Sequence, residues 1–197
     1  MERDFVKSLI SVVIPTYNRA RDLERALNSV LAQTYPHWEA LVVDNHSSDN
    51  TDNVVTHFDD SRISLLKIHN NGVIAASRNL GIKHAQGEYI AFLDSDDWWL
   101  ARKLEVSLKY LDRGADVVYH DLYMVTKRGQ RLLWQKGRTR VLNSPIFEDL
   151  LVNGDALQTS GVVARDSILR KIGGLSEDVT LIGWEDYDAW LKDMTAE

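Results

Sequence analysis

Short apolar, β-branched runs alternate along the first half of the chain with stretches of helical periodicity. Leu9–Ile14 is such a run, ended by Pro15, and predicts a first, central strand. From Arg21 to Gln33 the apolar residues Leu23, Ala26, Leu27, Val30 and Leu31 recur on one face, which predicts a helix that Tyr35-Pro36 terminates. Trp38–Val43 reads as a second strand, stopped by the polar turn-and-cap cluster Asp44–Thr51, and a helix follows to about Phe58. A third strand, Ile63–Ile68, turns at Asn70-Asn71-Gly72 into a helix over Ala75–Ala85 that Gln86-Gly87 closes. Tyr89–Leu93 is the fourth strand. Strict alternation of this kind predicts an α/β fold: a mostly parallel central sheet, doubly wound, flanked by helices and joined by right-handed crossovers.

Beyond Asp97 the rhythm changes. A helix is expected from about Leu100 to Leu111 and a strand over Asp116–Tyr119. An antiparallel hairpin should follow, formed by Tyr123–Thr126 and Arg131–Gln135 around Lys127–Gln130. Next come a short helix over Ile146–Val152, a strand over Ser160–Ala164, and a helix capped by Asp166 and ended by Gly173-Gly174. A last helix runs to about Lys192 with Glu185, Asp186 and Asp188 in its first turn. The second half is therefore expected to be smaller and mixed, within a single domain spanning residues 1–197.

The strongest chemical signal lies where the fourth strand stops. Asp94-Ser95-Asp96-Asp97 places three carboxylates within four residues. In open α/β sheets, ligands gather outside the carboxyl ends of the strands. Crowded carboxylates repel unless a cation sits among them, and a hard divalent ion that shares substrate phosphate oxygens fits. The plainer alternative is that Asp96 or Asp97 caps the next helix. The first strand–helix loop, Thr16-Tyr17-Asn18-Arg19, carries neither the glycine fingerprint of a dinucleotide fold nor a P-loop, so a nucleotide would be held differently.

Composition narrows the class. The 197 residues carry a net charge of −6, which argues against nucleic-acid binding. Hydrophobic content of 44% with 26% charged residues is ordinary for a soluble globular protein. There is no cysteine, which fits a reducing, cytoplasmic setting. Leu9–Pro15 is too short for a signal-peptide core and no run reaches membrane-spanning length. Of the six tryptophans, Trp98, Trp99, Trp184 and Trp190 lie beside acidic residues; they either line a sugar site or pack the core, and Trp184 is the better candidate for the former.

Five stretches in order carry a resemblance: Val12–Asn18, Val42–Thr51, Ser77-Arg78-Asn79-Leu80-Gly81, Gly87–Asp97 and Trp184–Trp190. Together they resemble family-2 glycosyltransferases with a GT-A fold, from about Ile10 to Leu191. The resemblance implies an inverting enzyme that moves one sugar from a nucleotide-sugar, here a UDP-sugar, to an acceptor hydroxyl with Mg²⁺ or Mn²⁺. It implies a nucleotide-binding half over about 1–97 and a sugar- and acceptor-binding half over about 98–197.

By position, the resemblance puts Pro15, Thr16, Tyr17 and Asn18 at the base and ribose. Asp44 would accept a hydrogen bond from the uracil N3, although it is also placed to cap a turn, a role for which Asp49 is better situated. Arg78 would lie near the diphosphate; otherwise it is a solvated helix charge. Asp96 would bind the metal directly, and Asp94, with Ser95 between them, would contact ribose or coordinate through water. Asp186 matches the catalytic base, with Glu185 beside it; the alternative is that both merely favour a helix N-terminus. His120 and Asp121 either approach the sugar or pack, and His69 is expected to be structural.

Two features depart from the pattern. The sequence ends seven residues after Trp190, where members commonly continue, which implies a very short protein or a truncated catalytic domain. The Gln-x-x-Arg-Trp motif and transmembrane helices of processive synthases are missing, so transfer of a single sugar is expected. The implied setting is cell-surface polysaccharide or glycolipid assembly, with a saccharide or lipid-linked acceptor and peripheral association at the inner membrane face.

Three rivals remain. A haloacid-dehalogenase phosphatase would want Thr or Val where Trp98 stands. A nucleotidyltransferase would want a glycine-rich, basic first loop. A non-catalytic nucleotide-sugar sensor would need no Asp186.

Overall fold

The computed structural model describes residues 8–125, 131–137 and 139–194. The expected hairpin turn at Lys127–Gln130, Thr126 and the segment upstream of Ser8 lie outside the described residues. The first half follows the predicted alternation: β1 (Ile10–Thr16), α1 (Ala20–Leu31), β2 (Trp38–Asp44), α2 (Thr51–His57), β3 (Ile63–Lys67), α3 (Ile74–His84) and β4 (Tyr89–Phe92). After it come α4 (Lys103–Leu111), β5 (Val117–Val118), the hairpin β6 (Tyr123–Val125) and β7 (Arg131–Lys136), and α5 (Ile146–Asn153). The chain ends in β8 (Val163–Arg165), α6 (Asp166–Lys171) and α7 (Glu185–Met194).

Six strands form one sheet in the order β3-β2-β1-β4-β8-β5. β3, β2, β1 and β4 run parallel, while β8 enters antiparallel to both β4 and β5. The sheet is thus mostly parallel with one reversed strand. β6 and β7 pair separately and antiparallel, as predicted.

Alternation along the strands sorts residues onto two faces. Ile10, Val12 and Ile14 pack with Leu23, Leu27, Val55, Trp99 and Leu104 under α1, α2 and α4. Val13, Ile90 and Phe92 pack with Ile82, Leu150, Leu169 and Trp190 under α3, α5, α6 and α7. Gly81 shows how closely α3 lies on the sheet, since a Cβ there would sit 2.4 Å from a methyl of Val13.

Several local expectations are corrected. The helix after Asp97 starts at Lys103, not near Leu100, so neither Asp96 nor Asp97 caps it. The side chain of Gln33 sets that start, accepting the Leu104 N–H at 3.0 Å and donating to the Leu100 carbonyl at 2.9 Å. Thr159–Gly161, taken partly as strand, forms a 3₁₀ turn, and β8 begins only at Val163. Asp166 lies inside α6, where its carboxylate accepts from Arg170 at 2.6 Å instead of capping.

In this order the chain leaves β1 toward β2 and β3 on one side and returns to β4 on the other. The crevice between the carboxyl ends of β1 and β4 is therefore the topological switch point, where open α/β sheets bind ligands.

Candidate active site

The loop after β1 forms one wall of this crevice. Thr16 is buried, and its hydroxyl oxygen has no hydrogen-bond partner among the described residues. Tyr17 stands exposed beside it. Asn18 adopts a left-handed backbone (φ 52°), which asparagine tolerates better than most residues. Its side-chain oxygen accepts the Ser48 N–H at 2.8 Å while its own N–H reaches Ser47 Oγ at 2.8 Å. The loops after β1 and β2 are thereby stitched together.

Asp44 ends β2, fully buried. Both carboxylate oxygens accept the Ser47 N–H at 3.1 Å, and Ser47 Oγ adds a further bond. Lys67, from the end of β3, pairs with it at 2.7 Å and also reaches Asp52. Burial works against the Lys67 charge, but its bonds to Asp44 and Asp52 prevail and raise its pKa. The turn-capping geometry considered for Asp44 is thus present. Asp49 holds the starts of both flanking helices, accepting the Ala20 N–H at 2.9 Å and the Thr51 hydroxyl at 2.5 Å. His69, expected to be structural, stacks on His46 with centroids 3.7 Å apart at this edge.

The loop after β4 forms the opposite wall. Asp96 is half exposed and pairs with Arg19 at 3.2 Å. Arg25, lying 4.1 Å over the Trp98 ring, donates to the Asp96 carbonyl at 2.7 Å. Ser95 is buried. Burial raises the pKa of Asp97 first, and the neighbouring Asp94 and Asp96 raise it further, against a hydrogen bond from Ser160.

Arg78 is the connection that sequence reading did not anticipate. It is 3% exposed, so it is no solvated helix charge. One terminal nitrogen donates to Asp94 at 2.9 Å, the other to Glu185 at 2.9 Å, a residue 107 positions away. Burial opposes the guanidinium charge; Asp94, Asp186 and Glu185 outweigh it and raise its pKa. Glu185 is itself buried and also accepts the Gly183 N–H at 2.6 Å. Asp186, next along α7, is half-buried; it accepts the Thr159 hydroxyl at 2.5 Å and the Tyr187 N–H at 2.8 Å.

The 3₁₀ turn carrying Thr159 also holds the β4 loop. Ser160 Oγ accepts the Asp94 N–H at 3.0 Å, and the Ser160 carbonyl accepts Trp99 Nε1 at 2.7 Å. Neither Thr159 nor Ser160 was flagged from sequence, because their partners lie far along the chain.

Of the tryptophans, Trp99 and Trp190 belong to the core, whereas Trp184 is 60% exposed beside Asp186. His120 is half-buried; burial first, then Lys103, lowers its pKa. Asp121 bonds the Thr139 hydroxyl.

Comparison with known proteins gives this arrangement a family. The glycosyl transferase family 2 model matches residues 11–172. The Escherichia coli UDP-Glc:α-D-GlcNAc-diphosphoundecaprenol β-1,3-glucosyltransferase WfgD is 47% identical over 52% of this chain and 41% of its own length. A second E. coli enzyme of the same printed activity, WfaP, is 30% identical over 93% of this chain and 69% of its own. The putative teichuronic acid biosynthesis glycosyltransferase TuaG of Bacillus subtilis (strain 168) is 41% identical over 53% of this chain and 42% of its own. Against WfgD and TuaG the matched region is less than half of the relative. Among solved structures, S. aureus TarS is similar at 25% identity with a TM-score of 0.73, over 94% of this chain and 33% of TarS. A TarS 1–349 structure in complex with UDP-GlcNAc is similar at 27% identity with a TM-score of 0.68, over 85% of this chain and 48% of that one. The sheet with its flanking helices is a GT-A fold, and the chain belongs to glycosyltransferase family 2.

Proposed function

We propose that this chain transfers one hexose from a UDP-sugar to a hydroxyl of a lipid-linked saccharide, with inversion, in cell-surface polysaccharide or glycolipid assembly. The observation that carries this reading is Arg78, whose two ion pairs fasten the carboxylate loop after β4 to the start of α7. A donor bound at that loop and a base on α7 would thereby face one crevice. A uridine donor is supported by the printed activities of WfgD and WfaP and by the UDP-GlcNAc in TarS. UDP-glucose is the first donor to test.

Residues 1–97 would hold the nucleotide and 98–197 the sugar and acceptor. Tyr17 would stack on the base beside Pro15, Asn18 would keep the loop in place, and the unpartnered Thr16 hydroxyl would gain its missing bond. Asp44 would accept from uracil N3 by sharing an oxygen now bonded to Ser47.

The β4 loop fits a divalent ion in part. Asp96 and the partly exposed Asp94 offer hard oxygen donors, and the Arg19–Asp96 pair is solvent-exposed and so weak. No group of three metal-binding side chains exists among the described residues, so the diphosphate would complete the shell of Mg²⁺ or Mn²⁺. That ion would neutralise charge on the departing UDP.

Arg78 has both terminal nitrogens occupied, so it would act on the diphosphate site by orienting Asp94. Glu185 would act through Arg78, leaving Asp186 as the base. In the step itself the acceptor oxygen bonds to the anomeric carbon on the face opposite the diphosphate. Its proton passes to the Asp186 carboxylate, and the carbon–oxygen bond to UDP breaks with the electron pair leaving on UDP. Trp184, with the exposed Ile182 and Val179 nearby in sequence, would receive the acceptor. No helix among the described residues is long and apolar enough to cross a membrane; a lipid-linked acceptor would bring the protein to the inner face peripherally.

The test pairs binding with turnover. UDP should bind with Mn²⁺ and lose most of its affinity in EDTA. Asp186→Asn should keep UDP-Mn²⁺ affinity while transfer from UDP-glucose to a GlcNAc-diphosphate lipid falls by roughly 10²–10⁴-fold. Metal-independent UDP binding refutes the metal site, and near-native transfer by the variant removes Asp186 from the mechanism.

A further inference from the structure

Thr159, Ser160 and Gly161 form a single 3₁₀ turn, and each residue is buried and fixed by a different part of the site. Ser160 accepts the Asp94 N–H and, through its carbonyl, the Trp99 Nε1–H, so it holds the donor-side loop. Gly161 lies against the His120 carbonyl so closely that a Cβ there would be 2.8 Å from that oxygen, so a side chain at this position would push the turn away from it. Thr159 reaches the other way, donating its hydroxyl to Asp186 at 2.5 Å.

We propose that Thr159 is the positioning residue for the base, fixing the Asp186 carboxylate in register with the donor loop through Ser160. The inference rests on the reading of Asp186 as the base. Asp186 has one oxygen on the Tyr187 N–H and the other on Thr159. The first bond comes from the adjacent residue and follows α7 wherever it goes. The Arg78–Glu185 pair ties the start of α7 to the donor loop, and the second bond ties the carboxylate itself to the turn that holds that loop. Each oxygen keeps a further lone pair, and the one aimed at the acceptor can still take its proton. A base must sit within hydrogen-bond reach of the proton it removes, and a displacement of about 1 Å costs on the order of 10²-fold.

The side chain can be changed without breaking the turn. The turn's backbone bonds are Gly161 N–H to the Gln158 carbonyl at 2.7 Å and Val162 N–H to the Thr159 carbonyl at 3.0 Å. Neither uses the Thr159 side chain. Thr159→Val keeps shape and β-branching and removes only the donor, whereas Thr159→Ser keeps the donor and removes a methyl group.

The experiment measures UDP release from UDP-glucose with a GlcNAc-diphosphate lipid, UDP-Mn²⁺ affinity, melting temperature, and the Asp186 orientation in crystals of each variant. Thr159→Val should lower kcat by roughly 10- to 100-fold, leave UDP-Mn²⁺ affinity within about twofold of native, and turn the Asp186 carboxylate away from its native position. Thr159→Ser should restore most of the turnover and the native orientation. Near-native turnover in Thr159→Val, a Thr159→Ser variant as slow as Thr159→Val, or an unmoved carboxylate overturns the proposal. If Thr159→Val does not fold, Thr159→Ala replaces it under the same criteria. Asp186→Asn, run alongside, separates the two claims: full activity there sinks the base reading, whereas an inactive Asp186→Asn with an active Thr159→Val sinks only the positioning role. Where no turnover is found even in the native protein, the carboxylate orientation in the variants still decides.

Discussion

Arg78 and Lys103 are both cations in the interior, 3% and 7% exposed, and they lie on the helices that precede and follow the β4 carboxylate loop. Their surroundings are opposite. Arg78 makes ion pairs at 2.9 Å with Asp94 and with Glu185. Lys103 has no hydrogen-bond partner among the described residues; its ammonium lies 4.0 Å over the Trp99 ring. The pKa of Arg78 is raised, and burial alone takes that of Lys103 well below its ordinary value. Burial of a positive charge therefore does not by itself imply ion pairing in this molecule. What distinguishes Arg78 is that it balances two carboxylates from remote segments of the chain. Arginine suits that task, since its planar fork keeps its charge and reaches two partners at once.

The largest effect should come from removing the paired cation. Arg78→Met leaves Glu185 buried without a counter-charge and frees Asp94, an event that costs about 3–5 kcal/mol for buried pairs. At roughly 2–4 °C per kcal/mol for a chain of this length, the melting temperature should drop by about 6–20 °C. UDP-Mn²⁺ affinity should fall with it, because Asp94 loses its orientation. A drop of only a degree or two, measured by thermal unfolding, would mean that the two pairs do not stabilise the fold and that the contrast with Lys103 is empty.

A smaller loss is expected from Glu185→Gln. The amide oxygen can still accept the Gly183 N–H, and Arg78 retains Asp94. The cost should be about 1.5–3 kcal/mol, the worth of a hydrogen bond to a charged group. If Glu185 acts only through Arg78, turnover should fall less than the roughly 10²–10⁴-fold expected for loss of a base. A turnover loss equal to that of Asp186→Asn would put Glu185 into the proton transfer.

The same pair of cations shows what could be read in the sequence. The strands were legible because Ile10–Ile14 and Tyr89–Phe92 are apolar runs with polar stops. The crevice followed from where those strands end. Asp94, Asp96 and Asp186 stood out because carboxylates cluster directly after a strand or at a helix start. Arg78 gave no local sign of its burial: Ser-Arg-Asn-Leu-Gly reads as an ordinary helix, and its second partner is 107 residues away. Lys103 was equally hidden, since Arg102-Lys103-Leu104-Glu105 looks like a solvated first turn. The start of α4 was misplaced for the same reason, because Gln33 of another segment supplies the bond that begins the helix. The reversed strand β8 depends on the path of the chain through the turn at Thr159–Gly161, for which short-range periodicity carries no signal.

The smallest effect, and opposite in sign, should come from Lys103→Met. Methionine keeps the length of the side chain and its packing against Trp99 and removes a buried ammonium that has no ion-pair partner among the described residues. Stability at neutral pH should rise by about 0.5–2 kcal/mol, or a few degrees in melting temperature. Its pH dependence identifies the cause. The pKa of Lys103 is lower in the folded chain than in the unfolded one, where it stays near 10.5. Between those two values the unfolded state binds more protons, so the native protein gains stability as pH rises through that window. Lys103→Met lacks this term. Its advantage should therefore be largest below the folded pKa, shrink steadily as pH climbs toward 10, and vanish above it. Burial and then Lys103 lower the pKa of His120, so Lys103→Met relaxes part of that shift; because the folded-state value lies below the ordinary 6.5, its part in the difference is confined to the acid end of the range. The measurement is a pair of melting curves at matched pH from about 6 to 10. A Lys103→Met variant less stable than native throughout would mean that the lysine has a stabilising partner after all. In that case Arg78 and Lys103 would be two instances of one device rather than opposites.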